Sequence, residues 1–173
     1  VWYAGWADKY AQAIGNTNPV AGPFFNFSVP EPTGVVAAIA PQDNVILGLT
    51  SVVAPIIMTG NAVIIMPSPS APIPAITLAE CLATSDVPGG VVNILTGAPA
   101  EVMPWLAEHA DVNAIDLTGI VDNAVAEDLE RIAAGTVKRV RQPKPAADWY
   151  VTPSLSRVRT FVEIKTVWHP LGV

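Results

Sequence analysis

Apolar residues fall first at four-residue spacing along the chain, then in short unbroken runs separated by helix-length segments. Trp2, Trp6 and Tyr10 place an aromatic stripe on one face of an opening helix, with Gly15 at its C-terminal turn. Phe25, Phe27 and Val29 then alternate with Asn26 and Ser28, the pattern of a strand with two unlike faces. Its flanking residues Pro19, Pro23, Pro30 and Pro32 suit a sheet edge. From Gly34 the pattern becomes regular. The runs VVAAIA (35–40), AVIIM (62–66) and VVNIL (91–95), with the shorter VNAIDL (112–117), read as strands covered on both faces. Helices are predicted between them over 44–59, 72–84 and 99–109, with another at 122–134, and a turn at Thr59-Gly60-Asn61. Strands separated by helices of this length make right-handed crossovers in a parallel sheet. The expected fold is therefore α/β, a doubly wound, Rossmann-like parallel sheet over residues 1–135, with an arm strand near 24–29.

The composition changes at Gly135. KRVRQPKPAADWYVTPS reads as an extended connector, because Pro143, Pro145 and Pro153 exclude a regular helix. Residues 159–168 alternate as a final strand, so 136–173 is expected to be connector plus C-terminal arm.

Charge sharpens this division. The net charge is −6, yet residues 1–130 carry thirteen acids against Lys9 alone (1 − 13 = −12). Residues 131–173 carry eight bases against Asp148 and Glu163 (8 − 2 = +6). A basic tail on an acidic body is expected to dock on an acidic surface, its own or a partner's. Nucleic acid is not an expected partner, since the body repels phosphates and the basic stretch is short. The chain is 51% hydrophobic and 14% charged, a composition that excludes intrinsic disorder. The most apolar stretch, Val45 to Met66, is broken by Gly48, Pro55 and Gly60 and lacks flanking cations, against a membrane span. One cysteine and the absence of a signal-peptide pattern point to the cytoplasm. The chain does not begin with Met, which suits part of a longer product.

Open parallel sheets bind ligands at the carboxyl ends of their strands, here 41–44, 66–70, 96–99 and 118–121. These read PQDN, MPSPS, TGAP and TGIV, with no glycine-rich phosphate loop and no Lys or Arg. A helix N-terminus could still hold a phosphate. Cys81, in LAECLATS beside Glu80, is expected to be a buried structural thiol rather than a nucleophile. His109 and His169 lie far apart with no companion ligands, which argues against a metal. Asp43 could act as a general base, but capping the following helix is the role expected of it. No Ser/His/Asp set assembles, so these residues alone indicate no catalytic site.

YAGWADK (3–9), EPTGVV (31–36), APIIMTGNAVIIMPS (54–68), DVPGGVVNILTG (86–97) and VEIKTVWHPLG (162–172) resemble aldehyde dehydrogenases in order and spacing. The match covers nearly the whole chain and is closest to the degenerate second module of the tandem subgroup called family 16. The resemblance implies a cofactor domain of Rossmann type, but its key positions differ. Where the family has P-W-N-F, with the Asn helping to hold an oxyanion, this chain keeps Pro41 but has Gln42 and Asp43. An anion there would oppose the developing negative charge. Where the family's K-P-S-E grips a ribose, Pro67 and Ser68 remain between Met66 and Pro69. Where F-T-G-S meets the pyrophosphate, Thr118 and Gly119 persist, but Ile120 replaces the Ser. The family's catalytic domain, with its nucleophilic Cys and general-base Glu, would fall between about 120 and 160, where neither motif occurs.

In the family, the strand before EPxGVV and the C-terminal strand form an arm that joins subunits. FFNFSV and residues 159–168 match those two pieces. The resemblance therefore implies a noncatalytic module for assembly or regulation that needs no cofactor. It would pair with itself or with a larger aldehyde dehydrogenase subunit. The alternative is the cofactor part of an active NAD(P)-dependent enzyme that oxidises aldehydes. A third reading is a small-ligand binder that reuses the degenerate cleft, anchored by Asp43.

Overall fold

The computed structural model describes residues 1–143 and 148–172. Two short helices open the chain, α1 (Trp2–Trp6) and α2 (Tyr10–Ile14). The single opening helix expected from the aromatic stripe is broken at Ala7–Lys9. There the backbone bonds tighten to three-residue spacing (Ala7 N–H to Ala4 O, Lys9 N–H to Trp6 O). Trp2 and Trp6 still pack together, with ring centroids 5.8 Å apart. Gly15 ends α2 because space demands it. A Cβ there would stand 2.7 Å from Ala11 O and 2.9 Å from Ser28 O.

β1 (Asn16–Asn18) and β2 (Phe24–Pro32) follow, then the first strand of the main sheet, β3 (Val35–Ile39). The doubly wound unit continues through α3 (Val45–Ile57), β4 (Ala62–Met66), α4 (Ile73–Ala83), β5 (Val92–Ile94), α5 (Pro99–Glu108), β6 (Ala114–Asp116) and α6 (Asn123–Ala134). The tail adds β7 (Arg139–Arg141), α7 (Leu155–Thr160) and β8 (Val162–Pro170). The main sheet is parallel, in the order β5-β4-β3-β6-β7. Its centre explains the unbroken apolar runs. Val36, Ala38 and Ala40 face Leu49, Val52 and Ile56 of α3, while Ala37 and Ile39 face Met103 of α5 and Leu129 of α6. Both faces of β3 are thus sealed from water, and neither tolerates a polar side chain.

The predicted turn after α3 works as a junction. Thr59 Oγ1 donates to Ile56 O (2.9 Å), and buried Asn61 accepts from Gly34 N–H (2.8 Å) while donating to Phe161 O (2.9 Å). One side chain therefore ties the end of α3, the entry to β3 and the joint between α7 and β8. No helix is long and apolar enough to cross a membrane among the described residues.

Three features of the tail and arm differ from the sequence expectation. The supposed connector contributes a fifth parallel strand, β7, paired with β6 (Ala114 with Arg139, Asp116 with Arg141). Part of that connector, 144–147, lies outside the described residues. Residues 155–160 are helical, so the last strand begins at Val162 rather than 159. β2 is the middle strand of a small antiparallel sheet, β1-β2-β8, not its edge. Its nine residues pair with β8 from Phe24–Pro170 to Pro32–Val162. The prolines near the end of β2 fall beyond the reach of β1, which covers only Asn26–Ser28.

The basic tail docks on its own body. Lys165 pairs with Glu31 at 2.6 Å. Lys138 donates to His109 O and Val112 O, both at 2.6 Å, and so satisfies carbonyls at the end of α5. Burial holds the Lys138 ammonium below its ordinary pKa.

Candidate functional site

The strand order reverses between β3 and β6, and a ligand cleft in such a sheet belongs at that switch point, by the carboxyl ends. Here the two exits touch. Gly119 N–H donates to Ile39 O at 3.1 Å, and a Cβ on Gly119 would come within 2.6 Å of both Ala40 C and Ile39 O. Gly119 is required by this backbone approach, whatever ligand the site takes.

The other cleft residues point in different directions. Pro41 is buried against the first turn of α3, where a Cβ on Gly48 would lie 3.0 Å from its ring. Gln42 turns back to donate to Ala40 O at 2.9 Å. Asp43 is exposed, and α3 has no side-chain cap at Asn44, so the capping role expected of Asp43 is not realised. The backbone carries α3 into the helix without it. Met66, Pro67 and Ser68 are buried, and Ser68 Oγ is paired with Ser70 Oγ at 2.8 Å. Pro69 is exposed.

Of these residues, Ile120 lines a cavity of about 380 Å³ between α5 and α6. Ile39, Pro99, Met103, Val125 and Leu129 complete its apolar wall. At its polar margin Arg131 and Asp128 pair with each other at 3.0 Å. Beside the cavity, the Asp122 carboxylate accepts from Ala124 N–H (2.9 Å) and so fills the N-terminus of α6 with a negative charge. A larger apolar cavity, about 720 Å³, opens by the amino ends of β4 and β5, away from the strand exits.

Cys81 is exposed, which corrects the expectation of a buried thiol. α4 lies beside edge strand β5 and buries only Ala75 fully, so most of its apolar residues remain accessible. His109 and His169 are both exposed, and among the described residues no group of three potential ligands could hold a metal.

Sequence reasoning did not anticipate a buried charge cluster at the carboxyl ends of β6 and β7. Asp116 is 1% exposed, and its Oδ1 accepts from Thr118 N–H at 2.8 Å. Its Oδ2 lies 3.9 Å from Arg141 Nε and 4.0 Å from Arg157 Nη1. Arg157 lies 5.1 Å from the Trp149 ring centroid. Burial lowers the Arg157 pKa, with Asp116 opposing that shift, and burial raises the pKa of the neighbouring Tyr3 phenol. The charge contrast between body and tail was the available signal. The pairing depended on β7 and α7, which the sequence pattern had hidden.

The fold is a Rossmann-type doubly wound α/β architecture, and comparison with known proteins identifies its lineage. Residues 1–142 match the aldehyde dehydrogenase family model, and the chain belongs to this family. It is 35% identical over 141 residues to mitochondrial aldehyde dehydrogenase of Mesocricetus auratus, covering 80% of this chain and 27% of that protein. PnpE from Pseudomonas sp. WBC-3 superposes with a TM-score of 0.74 at 30% identity, over 80% of this chain and 28% of its own. The NAD+ complex of aldehyde dehydrogenase from Bacillus cereus gives 0.73 at 27% identity, over 80% and 27%. The chain thus spans about a quarter of the length of such relatives.

Proposed function

We propose that this chain is a noncatalytic aldehyde-dehydrogenase-like module that assembles or regulates a dehydrogenase through its arm sheet. The observation that carries this reading is the long β2–β8 ladder, with β8 as an unpaired outer edge. Along the arm Phe24, Phe25, Ile164 and Trp168 are exposed, Trp168 to 59%. Phe24 and Trp168 pack edge to face, with centroids 5.8 Å apart. Large apolar groups left in water beside an open strand edge suit a protein partner that adds a strand and covers them. The partner is a second copy of this chain or a larger aldehyde dehydrogenase subunit. The role requires no cofactor and no nucleic acid, and the cytoplasm is its proposed setting.

The test is the native mass of the gently isolated complex, with Trp168→Asp as the arm variant. A stable complex that Trp168→Asp dissociates supports the reading. A monomer throughout overturns it.

The cavity at Ile120 favours a second reading, in which the chain is the cofactor part of an active NAD(P)-dependent enzyme. Its apolar walls can seat a flat ring, and the Bacillus cereus relative is an NAD+ complex. The phosphate end fits poorly, because Asp122 occupies the α6 N-terminus, the turns after β3, β4, β5 and β6 carry no Lys or Arg, and the arginines beyond β7 face Asp116. NAD titration separates the readings: saturable binding at about micromolar concentration supports the second and sinks the purely structural role. The third reading, a ligand anchored by Asp43, has little support, since that carboxylate stands exposed outside the cavities described.

A further inference from the structure

Two arginines share one carboxylate in the Asp116 cluster without forming a hydrogen bond to it, because both separations are near 4 Å. Arg141 Nε is buried with no partner among the described residues. Arg141 Nη1 donates to Thr160 Oγ1 at 2.7 Å. Among the described residues Arg157 reaches Ser51 O and Thr118 Oγ1, each at 3.4 Å. Most of the ten N–H donors of these two guanidiniums therefore lack a good acceptor among the described residues. Beside them lies a small polar cavity of about 100 Å³, lined by Tyr3, Trp149, Ser154 and Ser156 as well as both arginines.

We propose that this cavity binds a small carboxylate monoanion. Arg157 would grip it as a planar fork, with Arg141 alongside. Charge selects a monoanion. The two half-buried cations exceed Asp116 by one unit, and the remaining acid at the rim, Asp148, is exposed and already accepts from Tyr150 N–H at 2.9 Å. The small volume suits a short carboxylate such as formate or acetate, with the Tyr3 hydroxyl and the Ser154–Ser156 hydroxyl pair as further donors. Arg157 lies over the Trp149 ring, and its nitrogens hold only long contacts to Ser51 O and Thr118 Oγ1, contacts that two carboxylate oxygens meeting the fork would outcompete. This site is independent of the arm and of the cavity at Ile120, so its failure would leave both readings of function untouched.

The experiment titrates the full chain with sodium formate and sodium acetate at constant ionic strength, against sodium chloride, by calorimetry and thermal shift. Saturable binding and a melting increase that chloride does not reproduce are expected. Arg157→Gln and Arg157→Lys should each weaken binding about tenfold or more, since Lys keeps the charge but loses the fork. Asp116→Asn should tighten it several-fold by removing the competing negative charge. If Arg157→Gln fails to fold, Arg157→Lys and Asp116→Asn still decide the matter. Chloride and formate acting alike, no saturable heat, or binding indifferent to these substitutions would each overturn the proposal.

Discussion

Replacing Gly119 by Ala puts a methyl group where the exits of β3 and β6 meet backbone to backbone. The new Cβ would stand 2.6 Å from both Ala40 C and Ile39 O, and neither atom can swing aside as a side chain would. Relief requires the turn to move, which stretches the Gly119 N–H bond to Ile39 O, now 3.1 Å. Overpacking costs about 1–3 kcal/mol, and leaving that buried amide unpaired adds about 1–3 kcal/mol. The expected loss is thus about 2–6 kcal/mol, or roughly 4–24 °C in Tm for a chain of this size. Urea unfolding followed by circular dichroism measures it, and an unchanged m-value ties the shift to native stability. Gly89→Ala is the control: no atom lies within 4 Å of its added Cβ and its φ is not positive, so stability should stay within about 0.5 kcal/mol. Equal urea midpoints for Gly119→Ala and the parent chain would refute the close approach, and with it the account of why this glycine persists.

Asn61→Ala should cost about 2–4 kcal/mol in the same urea experiment, because Gly34 N–H and Phe161 O lose a buried partner together. A loss below about 0.5 kcal/mol would show that the junction is not rigid. Tyr3, whose pKa is raised by burial, stays protonated in the folded chain while the unfolded chain ionises near pH 10. Stability should therefore be complete below that pH and fall as pH rises through the folded value, and Tyr3→Phe should flatten that fall. Identical alkaline profiles for the two chains would remove the effect. Cys81 should react with a thiol reagent in native buffer at a rate unchanged by mild denaturant. Labelling only after unfolding would contradict its exposed position on α4.

How much was legible in the sequence depended on burial. Strands β3 and β4 are sealed on two faces, so Val35–Ile39 and Ala62–Met66 announce themselves as unbroken apolar runs. β7 carries one apolar residue, Val140, between Arg139 and Arg141, and only its partner β6 makes it a strand. α7 is six residues long and holds two arginines, and its identity rests on Val158 and on docking near α3. The cleft residues could be located by their place after each strand. Their directions could not, because Met66 and Ser68 turn into the core through tertiary packing. Cys81 was misread for a related reason. Its neighbours are apolar, but α4 sits at the sheet's margin and buries only Ala75 fully.

The pairing of β2 with β8 also bears on the order of events during synthesis. Thr33 and Glu163, at the inner end of that ladder, are 130 positions apart. At ribosomal speeds of about 5–20 residues per second, β2 waits roughly 7–26 s for its partner to be made. The doubly wound sheet, whose strands β3 to β6 are made earlier, can consolidate in that interval, while the edge of β2 that β8 will pair stays open. Of the strands described, β8 is thus the last to join, and the β2–β8 ladder closes only after translation has passed Pro170. A ribosome stalled before Val162 would present a folded body with a sticky, half-made sheet, a natural target for chaperones that guard nascent chains.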